Sequence, residues 1–82
     1  MESIKEKLLA FITTNFYVAD PSTLGEATSL LDTGIVDSTG IIELVAFLET
    51  ELAITVEDEE MVPQNLDNVA AIVDFIARKR RV

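Results

Sequence analysis

Apolar residues recur at intervals of three and four in three segments of the sequence. Residues at that spacing share one face of an α-helix, so each segment can bury one stripe while its opposite face stays in water. The strongest pattern covers residues 38–52, with apolar positions Ile41, Leu44, Val45, Leu48 and Leu52. An amphipathic helix is therefore predicted there, and it favours a fold in which helices pack on helices.

Two more helices are predicted near the ends of the chain. Residues 3–16 can begin with a capping box, because Glu6 follows Ser3 by three residues. The last helix is predicted from a cap at Asp67 to about Arg80. The apolar positions of these two segments are Ile4, Leu8, Phe11 and Ile12, and Val69, Ile72, Val73 and Ile76.

The connection from Val18 to Val36 is long and contains both turn residues and apolar residues. Its Asp20-Pro21-Ser22-Thr23 segment has the composition of a turn. We expect the segment to be pinned across the core, with a short helical turn around Leu24–Leu30. The residues expected to pin it are Leu24, Leu30, Leu31, Ile35 and Val36.

These elements predict an all-α fold: a small antiparallel bundle of three main helices plus one short helix, with a long first loop. The acidic run Glu57–Glu60 forms either a charged loop or a short helical turn that ends before Pro63. A chain of 82 residues suits one domain, which we expect to span residues 1–82.

The net charge of −9 is unevenly spread along the chain. The six basic residues are at 5, 7 and 78–81, and only two of the fifteen acidic residues precede residue 8, which leaves thirteen acids and no base in residues 8–77. Such a surface disfavours binding to nucleic acid and to membranes, and it favours binding to basic patches on partner proteins. The alternative is that acidity only keeps the protein soluble.

The composition excludes most self-contained catalysis. The sequence has no histidine and no cysteine, so Ser38 lacks a base and no thiolate metal site is possible. Asp37 is adjacent but is a weak base, and Glu57–Glu60 lacks the ligand spacing of a calcium loop. We therefore predict no catalytic residue and no metal site. With no apparent signal peptide or membrane span, a cytoplasmic location is expected.

Asp37 and Ser38, at the start of the central helix, admit two interpretations. Either residue can cap the helix, as Asp and Ser commonly do. Alternatively, the Ser38 hydroxyl is exposed at a helix N-terminus, where the dipole and the free amides tolerate a phosphate. The two interpretations are compatible if Asp37 caps and Ser38 carries a group.

The order of elements resembles the acyl carrier protein family over essentially the whole chain. A first helix and a long loop are followed by Gly34-Ile35-Val36-Asp37-Ser38 and by an acidic helix containing Ile42-Glu43-Leu44-Val45 and Leu48-Glu49-Thr50-Glu51-Leu52. The resemblance implies that a separate phosphopantetheinyl transferase, using magnesium, attaches 4′-phosphopantetheine from coenzyme A to Ser38. It implies that Asp37 assists this modification.

The resemblance also implies a carrier, not an enzyme. The thiol of the arm would hold an acyl or aminoacyl group as a thioester, and the monomeric protein would visit an acyl or aminoacyl ligase and then a synthase or transferase. The implied docking surface is the outer face of the central helix: Glu43, Ala46, Glu49, Thr50 and Glu51. That face can instead be an ordinary solvated one. Five apolar residues either line a space for the acyl chain or are plain core: Ile41, Leu44, Leu48, Leu66 and Ile72.

Four features depart from the pattern of general fatty-acid carriers. Thr39 and Gly40 stand where leucine and an acidic residue are usual, Ala46 is small for the docking face, and Arg78–Arg81 is basic. A glycine in the first helical turn costs roughly 0.5–1 kcal/mol relative to alanine, so a local reason is expected. These departures favour a dedicated carrier for aminoacyl, D-alanyl or specialised acyl groups. The rival hypothesis is an acidic helical adaptor in which Ser38 is only a cap.

Overall fold

The computed structural model describes residues 3–18, 20, 22 and 24–80. They form four α-helices and a 3-10 turn: α1 (Ile4–Asn15), α2 (Ser38–Glu51), the turn Asp58–Glu60, α3 (Pro63–Leu66) and α4 (Val69–Arg80). The described residues contain no β-strand, so the predicted all-α bundle with one short helix is confirmed. No helix in this part of the chain is long and apolar enough to cross a membrane.

The predicted capping box starts α1. The Ser3 hydroxyl accepts the Glu6 amide at 3.1 Å, and the Glu6 carboxylate accepts the Ser3 amide at 3.1 Å. The hydrogen bond from the Ser3 amide, followed by the Ser3 side chain, lowers the pKa of the Glu6 carboxyl. The helix ends at Asn15 because Phe16 is extended, with φ −125° and ψ 153°.

The core is entirely apolar in the described part of the chain. Of the residues that could line an acyl space, Leu44, Leu48, Leu66 and Ile72 are fully buried, while Ile41 is half-buried against them. The remaining buried side chains come from α1, α2, α4 and both connections: Leu8, Ile12, Leu24, Leu30, Val36, Val45, Leu52, Ile54, Val56, Val69, Phe75 and Ile76.

The first connection is pinned to the core, but not everywhere as expected. Leu24, Leu30 and Val36 are buried, whereas Leu31 and Ile35 are only half-buried. The helical turn predicted around Leu24–Leu30 is wrong. The hydrogen bonds there close a tighter turn from Gly25 to Thr28, and the first bond of helical spacing joins the Thr33 amide to the Ser29 carbonyl at 3.2 Å. The Thr28 hydroxyl also accepts the Gly25 amide at 2.9 Å, which is a second bond across the same turn.

The prediction that Asp67 caps the last helix is also wrong. Asn68 does so, because its side-chain oxygen accepts the Ala71 amide at 2.7 Å and α4 begins at Val69. The Asp67 carboxylate instead accepts the Ser29 hydroxyl at 2.8 Å and the Leu31 amide at 3.0 Å. Asp67 therefore fastens the first connection to the start of α4.

The cationic end of α4 holds the second connection, residues 52–68. Arg80 donates to the carbonyl of Leu52, the C-cap of α2, at 3.1 Å, and Lys79 pairs with Glu60 at 2.8 Å. The hydrogen bond from Lys79 is the main reason that the pKa of Glu60 lies below its ordinary value. The basic residues at this end of α4 thus make specific contacts, while Arg81 lies outside the described residues.

Candidate functional site

Asp37 is the N-cap of α2. Its backbone is extended, with φ −103° and ψ −171°, and its Oδ1 accepts the Gly40 amide at 2.8 Å. Its carbonyl accepts the Ile41 amide at 2.9 Å, which is the first bond of the helix. The alternative in which Ser38 serves as the cap is therefore wrong, since Asp37 performs that task.

Ser38 is the first residue of α2, and its side chain is exposed. Within the described residues, no hydrogen bond or ion pair involves its hydroxyl. The backbone amides of a first helical turn point outward, and the helix dipole adds a partial positive charge there. The hydroxyl thus stands free at a position that favours an attached anion.

Gly40 is buried one turn after Val36 because the end of α1 packs directly on it. A Cβ built on Gly40 would lie 2.8 Å from Cε1 of Phe16 and 3.1 Å from Cγ1 of Val36. These contacts supply the local reason expected for a glycine in the first turn. The Phe16 ring ties the end of α1 to the segment that presents Asp37 and Ser38.

All five residues of the implied docking surface are exposed, but they lie in two places. Four of them line a groove of about 450 Å³ between α1 and α2: Glu43, Ala46, Thr50 and Glu51. Glu49 is separate, because its carboxylate accepts the amide of Val56 in the second connection at 3.0 Å. The structure therefore brings four of the five together.

Ile42 is a surface residue that the sequence analysis did not single out. Its side chain is 64% exposed and lies one turn after Ser38 on the same helix face. The sequence signal for Ile42 was that it is a large aliphatic residue on the same outer part of the helix as Thr39, Glu43 and Ala46, which are all exposed. A large apolar side chain in such a position adds a hydrophobic contact to the surface beside Ser38.

The described residues contain no group of three or more acidic side chains positioned to hold a metal ion. Glu57 and Glu60 instead serve the 3-10 turn, where Glu60 accepts the Glu57 amide at 2.9 Å. The Glu57–Glu60 segment therefore takes the form of a short helical turn, which was one of the two predicted alternatives.

Comparison with known proteins identifies the family of this protein. No protein-family model matches the chain. A curated relative from Serratia sp. (strain ATCC 39006), "Probable acyl carrier protein PigG", is 32% identical over 75 residues, which cover 92% of this chain and 86% of that protein. The similarity covers most of both chains, and it agrees with the helical bundle. The protein therefore belongs to the acyl carrier protein family.

Proposed function

We propose that this protein carries an acyl or aminoacyl group as a thioester on a 4′-phosphopantetheine arm attached to Ser38. It delivers that group between partner enzymes and is not itself a catalyst. The observation that supports the proposal most is that two neighbouring residues at the start of α2 have different roles. Asp37 caps the helix, and the exposed Ser38 hydroxyl has no partner among the described residues.

The attachment requires only a few groups from this chain. The Ser38 oxygen would bond to the phosphorus that carries the pantetheine arm of coenzyme A. The bond from that phosphorus to the bridging oxygen would break, the nucleotide would leave with that oxygen as a phosphate, and the Ser38 proton would pass to a base of the transferase or to solvent. The resulting phosphodiester anion lies at the N-terminus of α2, where amides and dipole favour it. Asp37 assists by fixing the first turn, and its Oδ2, unpartnered within the described residues, is available to the magnesium ion of the transferase.

The arm supplies the thiol that forms the thioester, so the chain needs no nucleophile of its own. This agrees with a sequence that has no cysteine and no histidine. We place the protein in the cytoplasm, with a phosphopantetheinyl transferase, an acyl or aminoacyl ligase and a downstream synthase or transferase as partners. The sequence departures at Thr39, Gly40 and Ala46 support a dedicated carrier over a general fatty-acid carrier.

An intact-mass measurement tests the attachment. Coexpression with a broad-specificity phosphopantetheinyl transferase should add about 340 Da, the mass of the arm. Ser38→Ala should abolish the gain, and Thr39→Ala, which removes the neighbouring exposed hydroxyl, should keep it. An unmodified wild-type chain, or a modified Ser38→Ala chain, would contradict the proposal.

Docking is proposed on the exposed outer face of α2, with Ile42 beside Ser38 as an apolar contact. Glu43→Gln should slow modification by the transferase roughly threefold at low salt, because a steering charge is lost. Glu59→Gln is the matched control, since it removes the same charge from an exposed position on the 3-10 turn. Equal rates for the two variants would remove Glu43 from the docking surface.

A further inference from the structure

The segment that follows α2 has backbone groups without hydrogen-bond partners. Within the described residues, no hydrogen bond involves the amide or the carbonyl of Ala53, Ile54 or Thr55. The C-cap of α2 is Leu52, and the next residue, Ala53, has a φ of 56°, in the left-handed region. A residue in that conformation usually lets the following amides bond back to the last carbonyls of the helix, but here they do not.

Burial alternates along the same segment. Ile54 and Val56 are buried, while Thr55 between them is exposed. This alternation is typical of an extended chain, in which the backbone groups of neighbouring residues point to opposite sides. The Val56 amide points toward α2, since it donates to the Glu49 carboxylate at 3.0 Å. The amide and the carbonyl of Thr55 therefore point away from α2, which is the arrangement of an unpaired strand edge.

The cations at the end of α4 lie beside this edge. Lys79 and Arg80 line a cleft of about 500 Å³ together with residues 53–55, and no described acidic side chain lines it. Lys79 is paired with Glu60, whereas Arg80 donates only to the uncharged carbonyl of Leu52. The guanidinium charge of Arg80 is thus not neutralised by a carboxylate in the described part of the chain.

We propose that this edge binds an extended acidic segment of a partner protein, through the backbone of Thr55 and the side chain of Arg80. One residue of a partner strand can exchange two main-chain hydrogen bonds with Thr55, as when a peptide adds to the free edge of a sheet. A carboxylate on that strand then meets the Arg80 guanidinium, which can donate two parallel hydrogen bonds to it. Backbone pairing and this ion pair together oppose the repulsion from the net charge of −9.

The position of the edge leaves the modification site accessible. Leu52 follows Ser38 by fourteen residues, which corresponds to about 21 Å along the axis of α2. A partner bound at Thr55 therefore does not cover Ser38, and both ends of the helix can be occupied at the same time. An anionic membrane also attracts arginine, but a lipid surface has no strand to pair with the Thr55 backbone, which favours a protein partner.

The test uses the unmodified protein and two synthetic peptides of alternating sequence. One peptide alternates threonine with glutamate, and the other alternates threonine with glutamine. Titration followed by NMR at physiological salt, where charges beyond about 8 Å are largely screened, should give about fivefold tighter binding of the glutamate peptide. The largest amide shifts should occur around Thr55. Equal binding of the two peptides would overturn the proposal, because the ion pair would then play no part.

Two pairs of variants separate the backbone contact from the ion pair. Thr55→Pro removes the amide and should weaken binding of the glutamate peptide about tenfold, whereas Thr55→Ala keeps the amide and should bind like the wild type. Arg80→Gln should weaken binding about fivefold. Lys5→Gln is its control, because it removes the same charge from α1, where Lys5 pairs with Glu26. Equal effects within either pair would contradict the proposal.

Vesicles test the membrane as the alternative occupant. Vesicles of equal parts phosphatidylcholine and phosphatidylserine should not retain the protein at the same salt concentration. Retention that is lost in Arg80→Gln and kept in Thr55→Pro would contradict the proposal, because a membrane would then be the partner. Since every measurement uses the unmodified chain, failure here would leave the intact-mass result on Ser38 unaffected, and the reverse also holds.

Discussion

The starts of α2 and α4 are built alike but used differently. Each begins with an Asx cap whose side-chain oxygen accepts the amide three residues later, at 2.8 Å for Asp37 and 2.7 Å for Asn68. At α4 the residue after the cap, Val69, is fully buried, whereas at α2 the corresponding Ser38 is exposed. Capping is thus a shared structural task, and the distinguishing feature of α2 is the free hydroxyl that follows the cap.

The residues that precede the two caps also differ in the contacts that they make. Asp67, before Asn68, is fully engaged by Ser29 and Leu31 of the first connection. Val36, before Asp37, contributes an apolar side chain to the core and makes no comparable polar contact. The start of α4 is therefore a structural junction, while the start of α2 keeps its polar groups on the surface.

The largest expected effect concerns the junction at α4. Asp67→Ala should lower the free energy of unfolding by about 2–3 kcal/mol, because the Ser29 hydroxyl and the Leu31 amide lose a charged acceptor. Urea unfolding measures the change. Asp32→Ala removes the same charge from an exposed side chain and should stay within about 0.5 kcal/mol. Similar losses in both variants would mean that Asp67 acts only through its charge.

The third position of each helix gives the next test. Alanine at Gly40 would crowd Phe16, so Gly40→Ala should cost about 1–2 kcal/mol despite the better helix propensity of alanine. Ala71→Gly, the opposite exchange at the same position of α4, should cost roughly 0.5–1 kcal/mol.

A double-mutant cycle isolates the contact with Phe16. In a Phe16→Leu background, Gly40→Ala should cost less than in the wild type, because the nearest ring atom has been removed. An unchanged cost would show that Phe16 does not impose the glycine.

The last stability test compares the two caps with Ser38, the residue for which the smallest effect is expected. Asp37→Ala and Asn68→Ala should each cost about 1 kcal/mol, since each leaves a first-turn amide without its partner. Ser38→Ala should stay within about 0.5 kcal/mol, because its hydroxyl makes no hydrogen bond in the described structure. If Ser38→Ala cost as much as Asp37→Ala, Ser38 would be part of the cap.

Local patterns in the sequence were sufficient for α1, α2 and α4 and for the box at Ser3 and Glu6, because helical periodicity and capping act within one or two turns. They did not place the short helix α3 at Pro63–Leu66. They could not assign Asp67, because its partner Ser29 is 38 residues away along the chain. The same limit applies to Gly40, whose requirement comes from Phe16 at the end of α1. Asp37 and Ser38 are both good caps by composition, and only the backbone geometry distinguished them.

The most direct test of the central claim is to locate the arm within the modified chain. Tandem mass spectrometry of the coexpressed protein, on a peptide that contains residues 37–40, should assign the added mass of about 340 Da to Ser38. The account predicts modification of Ser38 alone, with Thr39 and the other hydroxyl residues unmodified. An arm on Thr39 or on any other residue, or a chain that gains no arm, would contradict it.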